Sequence, residues 1–172
     1  MAPPYEPTSH EAFSHDSIEH LGYDWSRAAD PKMPARPPTK VYFPRTTSDV
    51  QAAVRETHLL RQRLVVRGKG HSSNELVFGE VVLCTENLNQ DGQDKDGLLN
   101  LNLACPSAVV QAGVVLATLE QMLAPRGLGL PIIGDHNHIT AGGFAAVGGC
   151  SPASHVHGLF VDNVLALEYV DS

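Results

Sequence analysis

Apolar positions in this chain fall into short runs set apart by polar stretches, and their spacing changes from one stretch to the next. Val41-Tyr42-Phe43 is a strand candidate. Thr46-Thr47-Ser48-Asp49 then offers an N-cap hydroxyl with an acid three residues on, ahead of Val50, Ala53, Val54 and Thr57 at helical spacing. That pattern predicts a helix of about three turns. Leu64-Val65-Val66 is a second strand, so strand, helix and strand make a unit of the β-α-β kind. The unbroken run Val81-Val82-Leu83-Cys84 predicts a buried strand. Leu99, Leu101 and Leu103 alternate with Asn100 and Asn102, the period of a strand with one wet face, and residues 109–113 are a further strand. Leu116, Leu119, Met122 and Leu123 mark an amphipathic helix closed by Pro125-Arg126-Gly127. The last apolar run, residues 164–170, is strand-like and needs a partner on at least one edge. The fold class is α+β, without an internal repeat.

Residues 1 to about 17 are rich in Pro, Ser, His and Glu with no apolar period and read as a mobile leader. Residues 31–38 are a Pro-rich, extended connector. The chain therefore divides into a leader and connector over 1–38 and one domain over 39–172, its folded part beginning near Val41. Asp91, Asp94, Lys95 and Asp96 read as a solvated loop.

With 42% hydrophobic and 18% charged residues, 172 residues suffice for one core. A net charge of −7 with only 12 Lys and Arg argues against a nucleic-acid partner, which needs clustered cations. Cys84, Cys105 and Cys150 are odd in number and far apart, which points to neither a disulfide framework nor a zinc ribbon. A reducing, cytoplasmic location is expected, since there is no basic, apolar start and no run of membrane-spanning length.

Chemistry concentrates in two places. Arg67-Gly68-Lys69-Gly70-His71-Ser72 follows a strand directly, and its glycines let backbone N–H groups approach an anion while His71 stands beside them. The run lacks the third glycine of the dinucleotide fingerprint and the Gly-Lys-Ser/Thr ending of a P-loop. Taken alone, it reads equally well as a strand-to-turn loop. About seventy residues on stands Asp135-His136-Asn137-His138-Ile139-Thr140-Ala141-Gly142-Gly143, in a stretch of Gly and small residues suited to close backbone packing. His136 with His138, and His155 with His157, have no acidic or Cys partner at metal-ligand spacing, so no metal is expected.

On these residues the chain from about 41 onward resembles the FAD-binding domain of FAD-linked oxidases with the PCMH-type (vanillyl-alcohol oxidase) fold, most of all cytokinin dehydrogenase-like members. Residues 67–72 match the family's Arg-Gly-x-Gly-His-Ser loop, and residues 135–143 resemble its Asp-Tyr-Leu-x-Leu-Thr-Val-Gly-Gly segment. Residues 44–50 are similar to its opening strand and helix, Tyr23-Asp24-Trp25-Ser26 to the short element before it, and His157-Gly158 to its His-Gly.

The resemblance implies two small α/β subdomains around FAD, here incomplete. It implies that backbone amides of Val66, Gly68, Lys69, Gly70 and Ser72 lie along the diphosphate, that Arg67, Asp135, Thr140, Gly142, Gly143, Ala146 and Cys150 also border the cofactor, and that His71 bonds covalently to the flavin or only hydrogen-bonds to it. Asp135 matches the family's catalytic aspartate, which takes a proton from the substrate as hydride leaves for flavin N5; the bland reading is a loop aspartate that turns the chain. Ala146 stands where relatives often have Ser. Cys150 follows Gly148-Gly149, which does not match the second flavin bond of berberine-bridge relatives and suits a buried structural thiol. The function implied is the cofactor-binding portion of an oxidoreductase acting on a C–N or C–OH bond of a small molecule. The alternative is a noncatalytic module, truncated or pairing its last strand with a second chain that completes the domain. By the resemblance, the chain covers about two thirds of the cofactor domain and none of the substrate domain.

Overall fold

The Thr46 hydroxyl accepts the Asp49 N–H at 3.1 Å, and the Asp49 carboxylate accepts the Thr46 N–H at 3.0 Å. This reciprocal cap fixes where extended chain turns into helix. In the computed structural model, which describes residues 21–25, 36–73, 75–88 and 97–171, the helix it starts is α1 (Thr47–Leu59), preceded by β1 (Lys40–Tyr42). The leader, Ser26, residues 31–35 of the connector and the charged run at Asp91, Asp94, Lys95 and Asp96 lie outside the described residues.

β2 (Leu64–Arg67) and β3 (Val81–Cys84) complete a parallel sheet in the order β1-β3-β2. Val82 pairs with Val41 on one side and Val65 on the other. The expected β-α-β unit is thus opened by one strand: β1 and β2 are parallel but do not touch, because β3 lies between them. All four β3 residues are buried, as its unbroken apolar run requires of a central strand. Ala53 and Thr57 are the buried positions of α1.

The second lobe starts with an antiparallel hairpin, β4 (Leu98–Asn102) and β5 (Ser107–Val110). A register shift between Leu98 and Asn100 changes which side chains face inward. Leu98 and Leu101 therefore pack on the Val114, Leu119 and Leu123 core, while Leu99 and Leu103 are exposed. The simple alternation of Leu99, Leu101 and Leu103 is corrected by that bulge. Residues 111–113 form a turn and not part of the strand.

Helix α2 (Leu116–Leu123) ends in a 3₁₀ turn, Ala124–Arg126, and Gly127 takes the left-handed conformation that stops it. A short helix, α3 (Ala141–Ala146), packs Ala141 and Phe144 with Leu116 and Ile132. α4 (Ser154–His157) and a 3₁₀ turn, Phe160–Asn163, follow. Residues 164–171 form no strand, contrary to the expectation for 164–170, because no described strand lies beside them to supply a ladder. Leu165, Leu167 and Tyr169 stay exposed, and Tyr169, Val170 and Asp171 share a cleft with Gln51, Val54, Arg55 and His58 of α1.

Candidate functional site

The loop after β2 is shaped from below by Arg67. Alternation along β2 leaves Val66 exposed and buries Val65 and Arg67. The Arg67 guanidinium donates to the Tyr23 carbonyl at 2.7 Å and the Leu21 carbonyl at 3.4 Å. Burial lowers its pKa, while Cys84, Asp24 and Glu86 pull the other way. Its charge is thus spent inside the protein, on carbonyls of residues 21–25, and it is not aimed outward. Gly70 lies directly over it, with φ of 76°, where a Cβ would overlap the guanidinium. Beyond it, the amides of Lys69, Gly70, His71 and Ser72 donate to no backbone carbonyl among the described residues. Lys69 is exposed.

The second cluster meets this loop. Thr140 is buried, caps α3 by accepting the Gly143 N–H at 3.3 Å, and presents its hydroxyl to Gly68 so closely that a Cβ there would overlap it. Two motifs about seventy residues apart are brought into contact at one glycine and one threonine. The Ala141 and Gly142 amides are held by the Val114 and Ala112 carbonyls at 2.8 and 2.9 Å. A Cβ on Gly142 would sit 2.7 Å from that of Ala112. Gly142 therefore serves close packing of α3 on the turn after β5, and Gly143 is tied to the Thr140 cap.

His71 stands where the two clusters meet. Its ring lies 4.4 Å from that of His136, edge to face, and 6.0 Å from that of Trp25; Trp25 stacks on His136 at 6.0 Å and 17°. Burial lowers the His71 pKa to about 4, with further contributions from His136, His138, Lys69 and Arg67, so the imidazole is neutral at pH 7. Burial also lowers the His136 pKa, helped by His138 and opposed by Asp135. His71 Nδ1 and Ser72 Oγ are buried without a hydrogen-bond partner among the described residues.

Asp135 is exposed in the loop before His136, close enough to act on that ring's charge. Ala146 is exposed on the last turn of α3. Cys150 is a free, exposed thiol, which corrects the buried structural role the sequence suggests for it. It follows Gly149, whose place against Phe160 and Phe144 leaves no room for a side chain. His155 bonds through Nδ1 to the Pro152 carbonyl at 2.8 Å. No group of three or more His, Cys, Asp or Glu placed to hold a metal occurs among the described residues. Sequence reading places Trp25 and His136 inside longer matched segments and gives neither a role in the site, because only packing brings two residues so far apart together.

These features define an FAD-binding domain of the PCMH-type fold, and comparison with known proteins agrees. The family described as "FAD binding domain" matches residues 38–172, and the chain belongs to it. It is similar to an uncharacterized oxidoreductase, ORF5 of the fasciation locus of Rhodococcoides fascians, at 36% identity over 79% of this chain and 29% of that one. It is also similar to D-2-hydroxyglutarate dehydrogenase of Stutzerimonas stutzeri, at 32% identity over 68% of this chain and 23% of that one, and to L-gulonolactone oxidase of Bos taurus, at 26% over 74% and 28%. Among solved structures, an alkyldihydroxyacetonephosphate synthase has the same fold over 71% of this chain and 24% of that one, with a TM-score of 0.60 and 20% identity. The chain thus spans less than a third of the length of these relatives.

The residues present fit FAD. Among the described residues, four consecutive loop amides donate to no backbone carbonyl and the Ser72 hydroxyl has no partner, which suits diphosphate oxygens. An unpartnered buried polar atom costs about 1–3 kcal/mol, a cost sites carry where a ligand relieves it. FAD, when bound, supplies the hydride acceptor. No described helix is long and apolar enough to cross a membrane.

Proposed function

We propose that this chain is the FAD-binding portion of an oxidoreductase that removes hydride from a C–OH or C–N carbon of a small-molecule substrate. The seating of Gly68 against Thr140 carries the reading, because it brings the amide-rich loop and the His136 segment to one place. In this reading Val66, Gly68, Lys69, Gly70 and Ser72 run along the diphosphate, and Thr140, Ala146 and Cys150 border the cofactor. His71, neutral and with a buried Nδ1 that has no partner among the described residues, would be the residue that holds the flavin ring, by a covalent bond or a hydrogen bond. Asp135 takes the substrate proton, standing beside His136 at the open side of the loop.

The printed names of the relatives, a hydroxy-acid dehydrogenase and a lactone oxidase, favour a C–OH substrate. The likeness of residues 135–143 to the cytokinin dehydrogenase segment favours an amine. The second reading is a noncatalytic module that binds FAD without turning over a substrate.

The test is to express the chain with FAD and record its visible spectrum before and after acid precipitation. Yellow colour that stays in the pellet, and leaves it in His71→Ala, is the expected result. A chain refolded with excess FAD that retains no flavin refutes the proposal. Oxygen consumption with amines, hydroxy acids and aldonolactones then separates the substrate classes, and the module reading predicts none.

A further inference from the structure

Among the described residues, no hydrogen bond fixes the His71 imidazole through Nδ1. Its neighbours are two rings, His136 at 4.4 Å and Trp25 at 6.0 Å. A functional imidazole is ordinarily fixed by a bond to its second nitrogen. Here packing must do that job. Trp25 also stacks on His136, so the three rings close a triangle in which each limits the tilt of the other two.

Trp25 is itself fastened to the loop on three sides. Its backbone N–H donates to the Ser72 carbonyl at 3.0 Å. The preceding residue, Asp24, is 2% exposed and accepts the Glu75 N–H at 3.0 Å. Arg67 holds the carbonyls of Tyr23 and Leu21. Residues 21–25 are therefore tied to points before, within and after the loop that carries His71, although they precede the matched family segment at 38–172.

We propose that Trp25 is a positioning residue of this site: clipped to the loop by Arg67, Ser72 and the Asp24–Glu75 bond, its ring fixes the plane of the His71 imidazole through His136. Trp25 acts through His71. The proposal rests on the flavin reading only for what the oriented imidazole meets. The charged and titratable groups facing that imidazole are His136, His138, Lys69 and Arg67. Removing the indole admits water to a ring whose neutral state depends first on burial.

The test follows the imidazole signals of the full chain by NMR across pH, first without FAD, in the natural protein, Trp25→Leu and Trp25→Phe. His71 is expected to titrate near 4 in the natural chain. Its midpoint should move up by about one unit toward the ordinary value of 6.5 in Trp25→Leu and return in Trp25→Phe. With FAD, the rate at which colour becomes acid-precipitable should fall about tenfold in Trp25→Leu and recover in Trp25→Phe. A folded Trp25→Leu chain with an unshifted His71 midpoint overturns the proposal. Should that variant not fold, the natural chain decides, since Trp25 is its one tryptophan. Its fluorescence must then change with the His71 midpoint and lose that step in His71→Asn, and absence of the step overturns the proposal. Midpoints that shift as expected in a chain that takes up no flavin support the ring triangle and refute only the flavin reading.

Discussion

Arg67 belongs by motif to the cofactor loop and by packing to the segment beneath it. The motif associates it with the cofactor loop, but strand alternation turns it inward, where it meets two backbone carbonyls from residues 21–25. Lysine at this position has one ammonium and no fork, so it cannot span both carbonyls. Arg67→Lys is expected to destabilise the chain by about 1.5–3 kcal/mol, the scale of charged hydrogen bonds, measured by urea unfolding. A stability within about 0.5 kcal/mol of the natural chain would show that the brace carries no weight. His71 gives a second expectation. Its folded pKa is lowered to about 4, so between that value and about 6.5 the unfolded chain binds more protons than the folded one. Stability should rise with pH across that window and level off above it. His136 shifts in the same direction and adds to the slope. In His71→Asn the slope of melting temperature against pH should flatten between pH 4 and 6.5; an unchanged slope would refute the burial of this imidazole.

At the scale of elements, local signals were legible where one interaction decides the structure. The Thr46–Asp49 cap, the buried β3 run and the Gly127 helix stop are each set by residues close in sequence. Pairing is set by the rest of the chain, and this is where pattern reading fails. Nothing in β1 or β2 says that β3 will come between them. Nothing in the alternation of Leu99, Leu101 and Leu103 announces a bulge that hands the core to Leu98 and Leu101. The bulge has a measurable consequence. Leu101→Ala should cost about 2 kcal/mol or more, while Leu99→Ala, at a position 49% exposed, should cost less than about 0.5 kcal/mol. The reverse order in paired unfolding experiments would restore the simple alternation. The candidate site follows the same division. Both of its motifs can be found in sequence, but their meeting at Gly68 and Thr140 and the ring triangle at His71 depend on three segments packing together.

Over the whole molecule, an acidic protein has to hold a dianionic diphosphate. Twelve Lys and Arg stand against 19 Asp and Glu, Arg67 is turned inward, and the loop's other cation, Lys69, is exposed. In the proposed reading, attraction comes from dipoles: the consecutive amides after Gly68 and the Ser72 hydroxyl, short-range groups that salt screens weakly. A ligand that touches both the loop after β2 and the segment around Thr140 stabilises the two lobes together. At a concentration of about 100 times Kd, FAD should add about 2.7 kcal/mol, which for a chain of this size raises the melting temperature by roughly 5–10 °C. Because the donors are amides and not lysines, that increment should differ by less than about a third between roughly 50 and 500 mM salt. An increment that collapses with salt would place the binding on surface cations and remove the loop from the cofactor. Gly68→Val sharpens the experiment, since its side chain would displace Thr140 and separate the two clusters. It should melt in one cooperative step yet gain less than half of the natural chain's increment with FAD. A full increment in that variant would mean that the contact between the loop and α3 is not what builds the site.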